Sequence, residues 1–183
     1  MAQLELPLIA LDDGSDDARS ALDDVKRRYG FVPNLYRAFA NAPPAVHAYL
    51  AVSDQFQRTR LTAMERNVVL LAASRENGCR YCVAVHSTVG DMQKDPAHVI
   101  DAIRGDTPID DTRLDALRRL TQALVRGRGH AEAEIAAFVE AGYEPSQVLE
   151  VLIGISLKTL SNYTNHLVET PLDDAFAARA WEP

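Results

Sequence analysis

Cysteine is scarce in this chain, and the marks of secreted and membrane proteins are missing. Two cysteines in 183 residues are too few for a fold stapled by disulfides. The N-terminal stretch MAQLELPLIALDDGSDD is acidic and broken by Glu5 and Pro7, unlike a secretory signal. No apolar run approaches the ~18 residues of a membrane-spanning helix. We therefore expect a cytoplasmic protein that does not bind membranes.

Basic residues are also outnumbered, because 19 Lys and Arg face 26 Asp and Glu, for a net charge of -7. Nucleic acids and anionic membranes both attract basic patches, so the sequence predicts that neither is a main partner. The apolar fraction of 47% and charged fraction of 25% are ordinary for a soluble globular protein. The length predicts one domain, or at most two small ones, and we expect residues 1–183 to form a single domain.

Helical periodicity dominates, and no stretch shows the sustained alternation of a β-strand. Thr62 with Glu65 three residues later forms a capping-box pattern at the start of one helix. The longest candidate helix, residues 146–168, is rich in Val, Leu and Ile and is interrupted by Glu150 and Lys158. We expect this helix to lie at the centre of the fold or between subunits. The fold class is therefore all-α, with helices packed on helices.

Both cysteines lie in one stretch, ENGCRYCVAVHSTVG, residues 76–90. Gly78 ends one predicted helix, so Cys79 opens the next. Cys82 follows one helical turn later and His86 one turn after that. The three side chains fall within roughly 60° of one another on one helix face.

This spacing predicts reactive thiols. A thiolate, and not a thiol, is the nucleophile, and a helix start together with Arg80 favours a thiolate. His86 can accept the Cys82 proton as a general base. The helix start favours Cys79 as the better thiolate, whereas His86 favours Cys82, and the spacing alone leaves both open. Either thiol can attack while the other closes a disulfide.

Three other interpretations compete with a catalytic redox couple. The cysteines can be core residues, since buried cysteine is common. With His86 they also supply three ligands of a suitable type for a structural zinc site, to which another residue could add a fourth, although no second cysteine pair exists. The third alternative is a redox-sensing disulfide that changes assembly and is not turned over.

The stretch LTAMERNVVLLAAS followed by NGCRYCVAVH resembles the carboxymuconolactone decarboxylase superfamily, and most closely its alkylhydroperoxidase D-like, peroxidase-related branch. The matching pattern is Cys-x-x-Cys-x-x-x-His, formed here by Cys79, Cys82 and His86, within a helical hairpin over about residues 61–93. Weaker similarity extends over GFVPNLYRAFANAP and NYTNHLVETPLDDAFAARAW.

The resemblance implies a compact all-α bundle that assembles as a trimer or hexamer. It implies a peroxidase for hydrogen peroxide or organic hydroperoxides, with no metal and no organic cofactor. In the family pattern Cys82 meets the peroxide beside His86. Cys79 resolves the oxidised Cys82 and exchanges with an external thiol or dithiol reductant.

Two positions depart from the family pattern. Asn67 stands where the pattern has a glutamate of a proton relay, and asparagine cannot take a proton. Tyr81 stands where the pattern often has a histidine. Glu65 lies two residues before Asn67, but it faces another side of the helix and has a capping role. Glu76 is interpreted as part of a solvated face.

The polar stretch SNYTNH near the end of the longest helix has two interpretations. His166 can line a pocket that faces the cysteines. The favoured interpretation is a solvated helix end, which includes Asn162 and Asn165.

Overall fold

A computed structural model describes residues 2–183, which form nine α-helices and one 3-10 helix without a β-strand. The α-helices in chain order are α1 (Asp16–Tyr29), α2 (Asn34–Phe39), α3 (Pro43–Gln57), α4 (Ala63–Glu76), α5 (Arg80–Gln93), α6 (Ala97–Gly105), α7 (Thr112–Arg126), α8 (Glu132–Glu140) and α9 (Gln147–Val168). The 3-10 helix spans Asp174–Arg179. The all-α expectation is confirmed. None of the helices in this part of the chain has both the length and the apolarity to cross a bilayer.

Local signals start and stop these helices where the sequence predicts. The Thr62 side chain accepts a hydrogen bond from the Glu65 amide, and the Glu65 carboxylate accepts one from the Thr62 amide, so the capping box is complete. At the end of α1, Gly30 adopts a φ of 82°, a conformation that favours glycine.

Helix α4 is the centre of the bundle. Its apolar residues cover nearly every face, and it packs against α5, α6, α7 and α9. Five of its apolar side chains are fully buried, namely Val68, Val69, Leu71, Ala72 and Ala73. The α4–α5 hairpin that carries the cysteines is therefore embedded in the core and not on a mobile edge.

Helix α9 crosses this core and packs against α3 and α4. The close approach depends on Gly154, because a Cβ there would lie 2.7 Å from the Val69 side chain and 2.8 Å from the Phe56 ring. The opposite face of α9 is solvent-exposed and apolar, with Leu149 66% and Tyr163 55% exposed.

The C-terminal segment closes the bundle over α5. Tyr81 donates a hydrogen bond of 2.7 Å to Asp173, and the ring of Phe176 packs edge-on against Tyr81. Asp173 also accepts from the backbone amide of Asn34 at the start of α2. These contacts fix the position of Tyr81, which replaces the histidine of the family pattern.

We expect Gly154→Ala to lower the free energy of unfolding by about 1–3 kcal/mol, because the added methyl group overpacks the contact of α9 with α3 and α4. Urea denaturation measures the change. Gly105→Ala is the matched control, since its Cβ would meet nothing nearer than the Thr107 methyl at 4.0 Å. An unchanged midpoint for Gly154→Ala would show that α9 does not need this close approach.

Candidate functional site

The two cysteines lie at the start of α5, as free thiols with almost no solvent exposure. Gly78 adopts a φ of 67°, which turns the chain sharply after α4. Cys79 then occupies the N-cap position of α5, one residue outside the helix, and Cys82 lies in the first turn. Cys79 therefore opens α5, as the sequence predicts.

A polar face of α9 lies against the cysteines, although most of that helix is apolar. Asn165 Nδ2 lies 3.3 Å from Cys82 Sγ and 3.7 Å from Cys79 Sγ, so one amide contacts both sulfurs. Ser161 Oγ lies 3.8 Å from Cys82 Sγ. Asn162 is fully buried and accepts a hydrogen bond from Asn77. The interpretation of Asn162 and Asn165 as a solvated helix end is wrong, because this face of α9 packs onto the hairpin.

Lys158 is the charged member of this polar face, and its side chain is 1% exposed. Its Nζ lies 2.8 Å from His86 Nε2 and 3.8 Å from Cys82 Sγ. The ammonium therefore stands between the thiol and the imidazole. The sequence pattern marks Lys158 only as an interruption of an apolar helix and does not predict this role.

The surroundings shift the pKa values of the two thiols in opposite directions. Burial alone would raise the pKa of Cys82, but the hydrogen bond from Cys79 and the charge of Lys158 lower that pKa to about 5. The hydrogen bond to Cys82 and burial both raise the pKa of Cys79 far above its ordinary value. At neutral pH this environment favours a thiolate at Cys82 and a thiol at Cys79.

The same environment raises the pKa of Lys158 and lowers the pKa of His86. Burial would lower the pKa of Lys158, yet the negative charge of Cys82 raises it above its ordinary value. Burial and the neighbouring ammonium hold the pKa of His86 well below its ordinary value. The cluster therefore combines a charged lysine with a neutral histidine.

A cavity of about 320 Å³ opens onto the cluster. Cys82, His86 and Lys158 contribute to its lining, whereas Cys79 does not. Six aromatic side chains cover much of the remaining wall, namely Tyr29, Phe31, Tyr36, Tyr49, Tyr81 and Phe176. A small organic molecule in this cavity would be sheltered from water and would reach Cys82 before Cys79.

Several residues singled out from the sequence lie elsewhere. Arg80 is exposed and pairs with Glu182 at 3.1 Å, so it points away from the thiols and Lys158 supplies the positive charge. His166 is exposed at the end of α9. Glu76 pairs with Arg126 at 2.9 Å.

Asn67, at the position of the family's relay glutamate, is buried and lines the cavity. Its side chain donates a hydrogen bond of 3.0 Å to Asp95, and its own Oδ1 has no partner in residues 2–183. Burial raises the pKa of Asp95. Asn67 therefore contributes polar atoms to the wall, and its hydrogen bond runs to Asp95 and not to a cysteine.

A metal site does not emerge from this arrangement. Within residues 2–183, no group of three or more His, Cys, Asp and Glu side chains is placed to hold a metal ion. His86 contacts Lys158, which is a cation and not a ligand in its charged form. The three ligands suggested by the sequence, Cys79, Cys82 and His86, therefore form no such group in this part of the chain.

Solved structures with the same architecture match nearly the whole chain. The alkylhydroperoxidase AhpD core structure of an uncharacterized peroxidase-related protein from Ralstonia eutropha JMP134 is 25% identical, with 93% of each chain covered and a TM-score of 0.79. An uncharacterized peroxidase-related protein from Silicibacter sp. TM1040 is 16% identical, with 97% of this chain and 95% of that chain covered and a TM-score of 0.76. The debrominase Bmp8 is 14% identical, with 90% of each chain covered and a TM-score of 0.73.

The chain therefore has the alkylhydroperoxidase AhpD-like fold, as the resemblance implied. Its structural neighbours include peroxidase-related proteins and a debrominase, so the fold is one that enzymes use. No family model and no curated protein matches the chain.

We expect the thiolate absorbance of the reduced protein to fall by one thiolate per chain as pH decreases through about 5, the pKa of Cys82. A lowered pKa means that the thiolate persists at neutral pH and is protonated only in acid. Ultraviolet titration measures this step, and Cys82→Ser should abolish it. A single step near the ordinary thiol value of ~8.5 would contradict the electrostatic description.

Proposed function

We propose that this protein is a thiol-dependent peroxidase that reduces hydrogen peroxide or organic hydroperoxides through a Cys79–Cys82 disulfide cycle assisted by His86. The observation that carries the proposal is the position of Cys82. Its sulfur lies at the wall of an aromatic-lined cavity, next to a buried ammonium and within one helical turn of a second thiol. The peroxidase-related neighbours of the same fold support the same reaction class.

The environments of the two cysteines divide the roles between them. Cys82 lines the cavity and has the lowered pKa, so it is the nucleophile that meets the peroxide. Cys79 lies behind it and keeps its proton, so it is the resolving thiol. The Asn165 amide of α9 contacts both sulfurs and so holds the start of α5 against α9.

The cycle balances with one hydroperoxide and one dithiol. The Cys82 thiolate attacks the terminal oxygen, an S–O bond forms, and the O–O bond breaks to release an alkoxide or hydroxide. The Cys79 thiol then attacks the sulfenic acid of Cys82, the disulfide forms, and the thiol proton leaves with the hydroxyl as water. An external thiol or dithiol reduces the disulfide by exchange. Such a reductant is available in a reducing compartment, which agrees with a cytoplasmic location.

We expect one equivalent of hydroperoxide to remove both free thiols of each reduced chain, because one disulfide forms per peroxide. A free-thiol count with peptide mass spectrometry measures this. Cys82→Ser and Cys79→Ser should each abolish turnover with a dithiol reductant. His86→Ala should slow turnover by about 10²-fold or more.

The Cys82→Ser variant separates the roles of the two cysteines. Full peroxide consumption by Cys82→Ser would overturn the assignment of the nucleophile. Two intact thiols after treatment of the wild-type protein would overturn the peroxidase proposal itself, with the structural and sensor alternatives left to explain the cysteine pair.

We further propose that a second copy of the chain covers the outer face of α9, within a homotrimer or homohexamer. Leu149, Leu152, Tyr163 and Leu167 are 66%, 37%, 55% and 41% exposed, and their spacing places them along one stripe of the helix. Apolar stripes of this kind on water-facing helices are typical of interfaces.

The oligomer proposal is tested by sedimentation at micromolar concentration. We expect a mass at least three times the 20.1 kDa of one chain. Leu149→Glu combined with Leu152→Glu should reduce the assembly, because charged side chains would be buried unpaired. Val139→Glu, on the exposed surface of α8, is the control. A wild-type monomer would contradict the proposal.

A further inference from the structure

Lys158 is a buried cation beside Cys82, and the disulfide cycle described above assigns no task to its protons. A lysine at 1% exposure is costly unless partners compensate for the lost hydration. Its partners are His86 Nε2 at 2.8 Å, Cys82 Sγ at 3.8 Å and the hydroxyl of Tyr49. Two of these three groups belong to the cysteine motif, so the position of the charge is tied to the reacting sulfur.

The contact between Lys158 and His86 fixes the tautomer of the imidazole. An ammonium can only donate, so His86 Nε2 accepts and the proton of the neutral ring lies on Nδ1. His86 Nδ1 is buried and has no hydrogen-bond partner in residues 2–183. His86 lines the cavity, so a molecule bound against its ring is the partner that this N–H lacks in residues 2–183.

We propose that Lys158 is a catalytic residue of this site, which holds the Cys82 thiolate by charge and supplies, through His86, the proton taken by the leaving oxygen of the peroxide. This inference rests on the proposed peroxidase function. It gives His86 the role of a donor to the substrate. It also gives α9 a direct part in the reaction.

The proton transfer completes the balance of the first step. As the O–O bond breaks, the alkoxide or hydroxide takes the Nδ1 proton of His86, and Nε2 of the same ring takes a proton from Lys158. Sulfur is oxidised, the peroxide is reduced to an alcohol or water, and Lys158 ends neutral beside a neutral sulfenic acid. When the external dithiol later reduces the disulfide, one of its two protons goes to Cys79. The other enters at Nδ1 of His86 while Nε2 returns its proton to Lys158, which restores both the ammonium and the starting tautomer.

Residues of α4 do not offer an equivalent proton. The Asn67 amide is not an acid and donates its hydrogen bond to Asp95. Glu65 is held by its capping contacts with Thr62 and by a hydrogen bond from Tyr143. Four titratable groups face the pair of Cys82 and Lys158. They are Cys79 and His86 of the cysteine motif, Tyr49 on α3 and Tyr81 on α5. All four are neutral near pH 7 when Cys82 is the thiolate. The pH response of the site is therefore that of the thiolate and the ammonium.

The test compares Lys158→Met, Lys158→Arg and Lys26→Met in the full-length protein. Lys26→Met removes one charge from an exposed position of α1 and is the matched control. Two readouts are used: the pH dependence of the Cys82 thiolate absorbance, and the rate of cumene hydroperoxide consumption with dithiothreitol as reductant. The first readout needs no peroxide, so it stays informative if the peroxidase proposal fails.

For Lys158→Met we expect the Cys82 transition to move up by about 1–3 pH units and turnover at neutral pH to fall about a hundredfold. Lys158→Arg should keep the transition near that of the wild type, and Lys26→Met should match the wild type in both readouts. Turnover of Lys158→Met should stay below the wild-type rate even at a pH where its Cys82 is fully ionised. An unmoved transition would overturn the charge role, and full recovery of turnover at high pH would overturn the proton supply.

A second measurement guards against a variant that does not fold. Nitrogen NMR of the wild-type protein, labelled at histidine, reports the tautomer of each imidazole. We expect one of the five histidines to be neutral with its proton on Nδ1 across the neutral pH range. If all neutral rings carry the proton on Nε2, His86 cannot accept from Lys158 and the inference fails.

Discussion

Lys158 and Cys82 meet 3.8 Å apart in a part of the protein from which water is almost entirely excluded. A lone charge of either sign would be costly there, so each group is stable in its charged form only because the other is present. Removal of one partner leaves an unpaired charge or forces a change of protonation. This mutual dependence links the state of the sulfur to the state of the lysine. It also makes the neutral His86 a necessary part of the arrangement, since the ammonium needs further acceptors.

The fold supplies the conditions for this contact. Helix α4 is apolar on nearly all sides and brings α5 and α9 together around it. The missing side chain at Gly154 lets α9 approach Val69 and Phe56, and one turn later the same face of α9 presents Lys158 to the cysteine motif. The cavity opens onto Cys82, His86 and Lys158, with aromatic walls that limit the access of water. The same helix contacts therefore form the packed core and place Lys158 beside the reactive sulfur.

Much of this could be predicted from the sequence, because it depends on local patterns. The helix periodicity, the capping box at Thr62 and the spacing of Cys79, Cys82 and His86 are all short-range signals. Lys158 and Asn165 were missed because they lie 76 and 83 residues from Cys82, and no local pattern encodes which helix packs on which. Arg80 was misassigned because adjacency in sequence does not decide the direction of a side chain at a helix start.

A signal for the missed residues was nevertheless present. Lys158, Ser161, Asn162 and Asn165 recur three or four positions apart, so they form one polar face on a helix that is otherwise apolar. A polar face of this kind on a core helix must meet polar partners when it is buried. The cysteine motif was the natural partner in this sequence.

Nitrogen NMR of the lysine side chains, recorded on the reduced protein and again after one equivalent of hydroperoxide, tests the central claim most directly. The chain has three lysines, and Lys26 and Lys94 are exposed. Oxidation of Cys82 removes the negative charge beside Lys158, so its signal should move from that of an ammonium towards that of an amine while the other two stay in place. Three unchanged lysine signals after peroxide treatment would contradict the account.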